Sequence, residues 1–94
     1  ARRRLDRVIR RTYGLCVLYE IQQVEKLRDS DRPACAVKRK EAAVFYRIIA
    51  DRVRKNAPRA HDRITAMLDG DYETMDAGAL AESLRSGLGA IPLR

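Results

Sequence analysis

Apolar residues recur along the first 28 positions at spacings of three and four: Leu5, Ile9, Tyr13, Val17, Ile21 and Val24. A helix of 3.6 residues per turn gathers such spacings onto one side, whereas a strand would need strict alternation. The pattern predicts a helix over 2–28. Val8, Leu15, Leu18 and Tyr19 make its centre apolar nearly all round, which predicts contact on two sides, with the chain's own bundle and with a partner. Gly14 costs such a helix about 1 kcal/mol relative to Ala. It reads as a tolerated defect or as a point where another backbone comes close.

The run Arg28-Asp29-Ser30-Asp31-Arg32-Pro33 stops the helix, because Asp and Ser favour turns and caps and Pro33 disfavours a helical conformation at Arg32. Asp31 is the expected N-cap of a second helix over 33–55. Its inward face is read as Val37, Val44 and Ile48, with Phe45, Ile49 and Val53 one position round, and its opposite face carries Arg39, Lys40, Arg47 and Arg54. Lys38 and Arg52 fall nearer the apolar side. Two long helices joined by a short polar turn predict an antiparallel hairpin. With the turn near Ser30, Cys35 lies level with residue 25, about nine residues or 13 Å along the axis from Cys16. A disulfide needs Cα atoms within about 7 Å, so two separate thiols are expected.

Asn56 as N-cap, Pro58 in the first turn and Gly70 at the end predict a third helix facing inward with Ala57, Ala60, Ile64, Met67 and Leu68. A fourth runs over 77–85, capped by Asp76, with Leu80, Ala81 and Leu84 inward and Gly87 and Gly89 ending it. Residues 90–94 read as a tail. The expected architecture is all-α: one domain over 1–94, a basic hairpin (1–55) followed by acidic shorter helices and the tail (56–94).

Charge divides the same way. Residues 1–55 hold sixteen Lys or Arg against seven Asp or Glu, and residues 56–94 hold four against six, so the basic character belongs to the hairpin. A one-sided positive field steers a protein toward polyanions such as DNA, RNA, anionic lipid or an acidic protein surface. No charge-free stretch approaches the roughly 18 residues of a membrane span. There is no initiator Met and no secretory signal, which reads as a processed protein or an excised domain. Two unpaired cysteines point to a reducing, intracellular setting.

Catalytic chemistry is not indicated. His61 is the single histidine and has no nucleophile motif around it. One His and two separated Cys make no zinc set, and no Gly-rich phosphate loop occurs. Asp69, Asp71, Glu73 and Asp76 lack the loop pattern of a calcium hand, and an acidic turn ahead of a helix explains them better. No cofactor or metal is expected, nor enzymatic activity.

The stretch IIADRVRKNAPRAHDRITAMLDGDYETMDAGALAESLRSGLG resembles the helix-turn-helix of repressor-type DNA-binding domains in its Ala50 before a turn and its later ALAESLRSGLG. That likeness implies Arg59 and Arg63 as base-facing residues. Arg54 and Lys55 stand where the turn usually has Gly and an apolar residue, so the likeness carries no assignment.

Three readings of function follow. In the first, the chain is a non-enzymatic helical module that contacts nucleic acid through Arg2, Arg3, Arg4, Arg7, Arg10 and Arg11 on the first helix and Lys38, Arg39 and Lys40 on the second. In the second, it is an accessory subunit or scaffold domain of a protein or ribonucleoprotein complex, docking by Tyr13, Leu15, Leu18 and Tyr19. A third, weaker reading lays the Arg-rich helix on anionic lipid, against which Asp6, Glu20 and Glu25 count.

Overall fold

The computed structural model describes residues 2–89, with side chains from residue 4 onward. The predicted tail at 90–94 and the side chains of Arg2 and Arg3 lie outside the described residues. Four α-helices follow in order: α1 (Arg2–Leu27), α2 (Arg32–Asn56), α3 (Pro58–Asp69) and α4 (Ala77–Leu88), with a short 3-10 turn at Tyr72–Thr74. There is no strand among the described residues. The all-α architecture expected from the spacing, a long hairpin carrying two shorter helices, is what forms.

The helix ends obey local chemistry. Asp31 caps α2 by accepting from Ala34 N at 3.1 Å, and Asp76 caps α4 by accepting from Ala79 N at 3.1 Å. Glu25 of α1 adds a second acceptor to the α4 terminus, 3.0 Å from Ala77 N. Asn56 does not cap α3 as expected. It is the last residue of α2, and its side-chain amide donates to Gly87 O at 2.8 Å, tying the end of the hairpin to the end of α4. Only Ala57 then separates α2 from α3. A helix-turn-helix needs a turn of about three to four residues. The resemblance therefore fails on connection length, and Arg63 is engaged within the domain, its Nε donating to Ser83 Oγ at 3.2 Å.

Gly87 does not end α4 either. The helix continues to Leu88 and stops at Gly89, whose φ of +86° is readily adopted only by glycine. Gly87 is instead a contact point: a Cβ there would lie 2.8 Å from Val53 Cγ1 and 3.0 Å from Val53 Cα. The α2 and α4 backbones are this close because nothing stands between them.

The core runs through Val17, Leu18, Ile21 and Val24 of α1, Cys35, Ala42, Tyr46, Ile49 and Val53 of α2, Ala60, Ile64 and Leu68 of α3, and Leu80, Ala81 and Leu84 of α4, with Met75 between. Cys35 Sγ lies 3.7 Å from Val24 O, which sets the hairpin register within one residue of that expected. Both cysteines are free. The 3-10 turn is held against the hairpin by cations: Arg28 Nη1 donates to Tyr72 O and Met75 O, each at 3.1 Å, and Arg32 pairs with Glu73 at 2.6 Å. The guanidiniums of Arg32 and Arg39 each sit 4.8 Å from the Tyr72 ring centroid.

Candidate interaction surface

The hairpin carries two apolar stripes, and only one is buried. At about 100° per residue, Val17, Ile21 and Val24 of α1 point to one side, and Leu5, Val8, Leu15 and Tyr19 to the opposite side with Ile9 at its edge. On α2 the same split separates Cys35, Ala42, Tyr46, Ile49 and Val53 from Val37, Val44 and Ile48. The first set of each helix is core. The second set is in water: Leu5 is 58%, Val8 54%, Ile9 42%, Leu15 37%, Tyr19 55%, Val37 56%, Val44 49% and Ile48 55% exposed. Every large apolar residue exposed in this way lies on α1 or α2; α3 and α4 contribute none among the described residues.

These positions correct the sequence reading. Leu5 and Ile9 were expected inward, as were Val37, Val44 and Ile48, and all five are exposed. Of the docking group, Leu18 is buried in the chain's own core, and Tyr13 packs on Phe45 with ring centroids 6.1 Å apart. Leu15 and Tyr19 face outward as the docking reading requires. Ile9 and Ile48 line one shallow depression between the helices, together with Asp6, Arg10, Asp51, Arg52 and Lys55. Its volume is about 280 Å³.

The predicted basic surface divides. Arg4 and Arg7 are exposed and Arg10 and Arg11 partly covered, with Arg11 Nε buried and lacking a partner among the described residues. Lys38 is drawn into the seam between α1 and α2, 3.7 Å from both Glu20 and Glu41. Arg39 donates to Gly70 O at 2.8 Å besides lying on Tyr72, so it serves the fold. Lys40 is exposed. Because α1 and α2 are antiparallel, Lys40 lies level with about residue 18 of α1. It stands some 10–20 Å along the axis from Arg4, Arg7, Arg10 and Arg11, and the two clusters do not merge.

Polar chemistry inside the bundle was not foreseen. The Tyr46 hydroxyl and His61 Nδ1 are 2.7 Å apart and the rings stack at 5.7 Å between centroids. Burial, aided by nearby Asp62, pushes the Tyr46 phenol up to about 12, so it keeps its proton. Glu20 is buried, and burial raises its carboxyl above the ordinary range. Glu41 adds to that shift, and Lys38 opposes it. A cleft of about 600 Å³ between α3 and α4 is lined by Arg63, Met67, Glu82, Ser83, Arg85 and Ser86. No group of three or more His, Cys, Asp or Glu among the described residues could hold a metal ion, and no helix among them is long and apolar enough to cross a membrane. No protein-family model, curated protein or solved structure matches this chain.

Proposed function

We propose that this chain is an accessory or scaffold module that binds another protein through the outer face of the α1–α2 hairpin. The observation that carries the reading is the row of eight half-exposed Leu, Ile, Val and Tyr side chains confined to those two helices. Exposed apolar residues scattered singly are normal on a protein surface, whereas eight on one side of two adjacent helices mark an interaction site. Burying it at about 25 cal/mol per Å² supplies the driving force for association.

Cysteine accessibility tests the reading. A Val44→Cys variant is exposed to alkylation in the isolated chain, and so is Arg59→Cys on α3. In extract of the native source, residue 44 should react at least tenfold more slowly than in isolation while residue 59 keeps its rate, both read peptide by peptide in a mass spectrometer. Equal rates at residue 44 in both settings would remove the reading.

The exposure of Arg4 and Arg7 supports a second reading, contact between the first turns of α1 and nucleic-acid phosphates. It leaves the apolar row unexplained and therefore stands behind the first.

A further inference from the structure

Resting on the docking reading, we infer that the occupant of the outer face is an acidic amphipathic α-helix of a partner protein, lying along the groove between α1 and α2. Three observations point to it. The first is spacing: Leu5, Val8, Thr12, Leu15 and Tyr19 recur at steps of three, four, three and four, all on the exposed side of α1, and Val37, Val44 and Ile48 at steps of seven and four on α2. A mean step of 3.5 residues is the period at which one helix follows another, with each side chain entering a hole on its neighbour. Two such stripes side by side, on helices whose axes are roughly 8–10 Å apart, form a seat for a third helix.

The second observation is charge. Arg4, Lys40, Arg47, Arg52 and Lys55 are exposed within about a quarter turn of the apolar stripes, and none is paired within the described residues. The acids nearby are largely spoken for: Asp51 binds Arg54 at 3.0 Å and Glu41 lies 3.7 Å from Lys38, which leaves Asp6. An apolar seam edged by unpaired cations is complementary to a helix with Glu or Asp beside its own apolar stripe. The same edge disfavours a second copy of this chain, because a two-fold axis would bring cationic rims together.

The third observation separates a helix from a lipid surface. Glu41 and Asp51 share the α2 face with Val37, Val44 and Ile48. Seating that face on anionic lipid would press both carboxylates against like charge, whereas a single helix in the groove can place its acids beside Arg52 and Lys55 and away from Asp51, which lines the same groove.

A labelled 21-residue peptide with Leu at the heptad core positions and Glu beside them serves as the probe, with a Lys-flanked counterpart. The acidic peptide should bind saturably, at least tenfold more tightly than the basic one, and weaken as salt rises. Val44→Asp combined with Ile48→Asp should reduce that binding at least tenfold with the helical circular dichroism unchanged; Val44→Ser with Ile48→Ser provides the same test without added charge. Arg63→Gln on α3 should have no effect. Binding of the Lys peptide as tight as that of the Glu peptide, or Glu-peptide binding indifferent to residues 44 and 48, would overturn the inference. So would a dimer of this chain that Ile48→Asp dissolves, or tighter binding to phosphatidylserine vesicles than to the peptide. If residue 44 is protected in native extract and the acidic peptide still fails to bind, the acidic helix falls while docking stands; without protection both fall.

Discussion

Ile48 and Ile49 are neighbours in sequence and opposites in environment, which makes them the sharpest test of which way the hairpin faces. Ile49 is 1% exposed and Ile48 55%. Replacing Ile49 by Ala removes three carbons from a sealed site. At about 0.8 kcal/mol per buried methylene the transfer loss is roughly 2.4 kcal/mol, and the cavity left behind brings the total to between about 2 and 5 kcal/mol. At Ile48 half of the side chain is already in water and no closed cavity can form, so the same change loses at most about 1 kcal/mol. Ala is the better helix former by about 0.4 kcal/mol, a gain shared by both sites that brings the net cost at Ile48 to about 0.5 kcal/mol.

The difference is large beside the whole. A chain of 94 residues has a stability of roughly 5–14 kcal/mol, so Ile49→Ala forfeits a substantial share of it. With a urea slope of about 1–1.5 kcal/mol/M, the unfolding midpoint of Ile49→Ala should fall by about 2 M, and that of Ile48→Ala by less than about 0.5 M with an unchanged slope. A cost at Ile48 equal to or above that at Ile49 would mean that α2 is rotated by half a turn. The burial argument and the proposed docking face would then fall together.

The other expectations are as specific. Gly87→Ala should lower the melting temperature despite the helix propensity it gains, by an overpacking penalty of about 1–3 kcal/mol, because the new methyl meets Val53 at 2.8 Å; a rise on calorimetry would refute the close approach of α2 and α4. Tyr46 has a folded pKa of about 12 against an ordinary value of 10, so the stability it contributes is fully present below about pH 10 and is lost as pH rises toward 12. Absorbance at 295 nm should show tyrosinate formation that coincides with unfolding and is absent from Tyr46→Phe, and that variant should flatten stability over the same range. Arg4, Arg7 and Arg10 changed together to Gln should leave folding nearly intact. If the nucleic-acid reading holds, the slope of log affinity against log salt should fall by up to about three units, and an unchanged slope in titrations with duplex DNA and single-stranded RNA would end it.

Local signals in the sequence were sufficient for the four helices and for the caps at Asp31 and Asp76, which act on backbone groups within a few residues, but not for the start of α3, where Ala57 stands at the cap in place of Asn56, nor for the end of α4, which runs past Gly87. Facing was harder, for a geometric reason. A series at steps of four turns about 40° per step, so Leu5 ends about 160° round the helix from Ile21, and a row that looks continuous in sequence winds from the solvent side to the core. On α2 two stripes of equal regularity compete, and the one made wholly of Val and Ile reads as the inward choice. The bundle buries the other, in which the small Cys35 and Ala42 allow close packing, Val53 meets Gly87 of α4, and Tyr46 and Ile49 fill the remaining space. Sixteen basic residues in the hairpin segment likewise suggested one polyanion surface, yet Arg28, Arg32, Lys38 and Arg39 are engaged by carbonyls, carboxylates and the Tyr72 ring, partners 18 to 47 residues away. The misassigned stripe then carries information of its own. Val37, Val44 and Ile48 have the spacing and composition of core residues, and the chain's own helices do not cover them. A core pattern that the fold leaves in water is what a helix in the groove would complete, and that completion is why their replacement should cost little in the isolated chain and much in the complex.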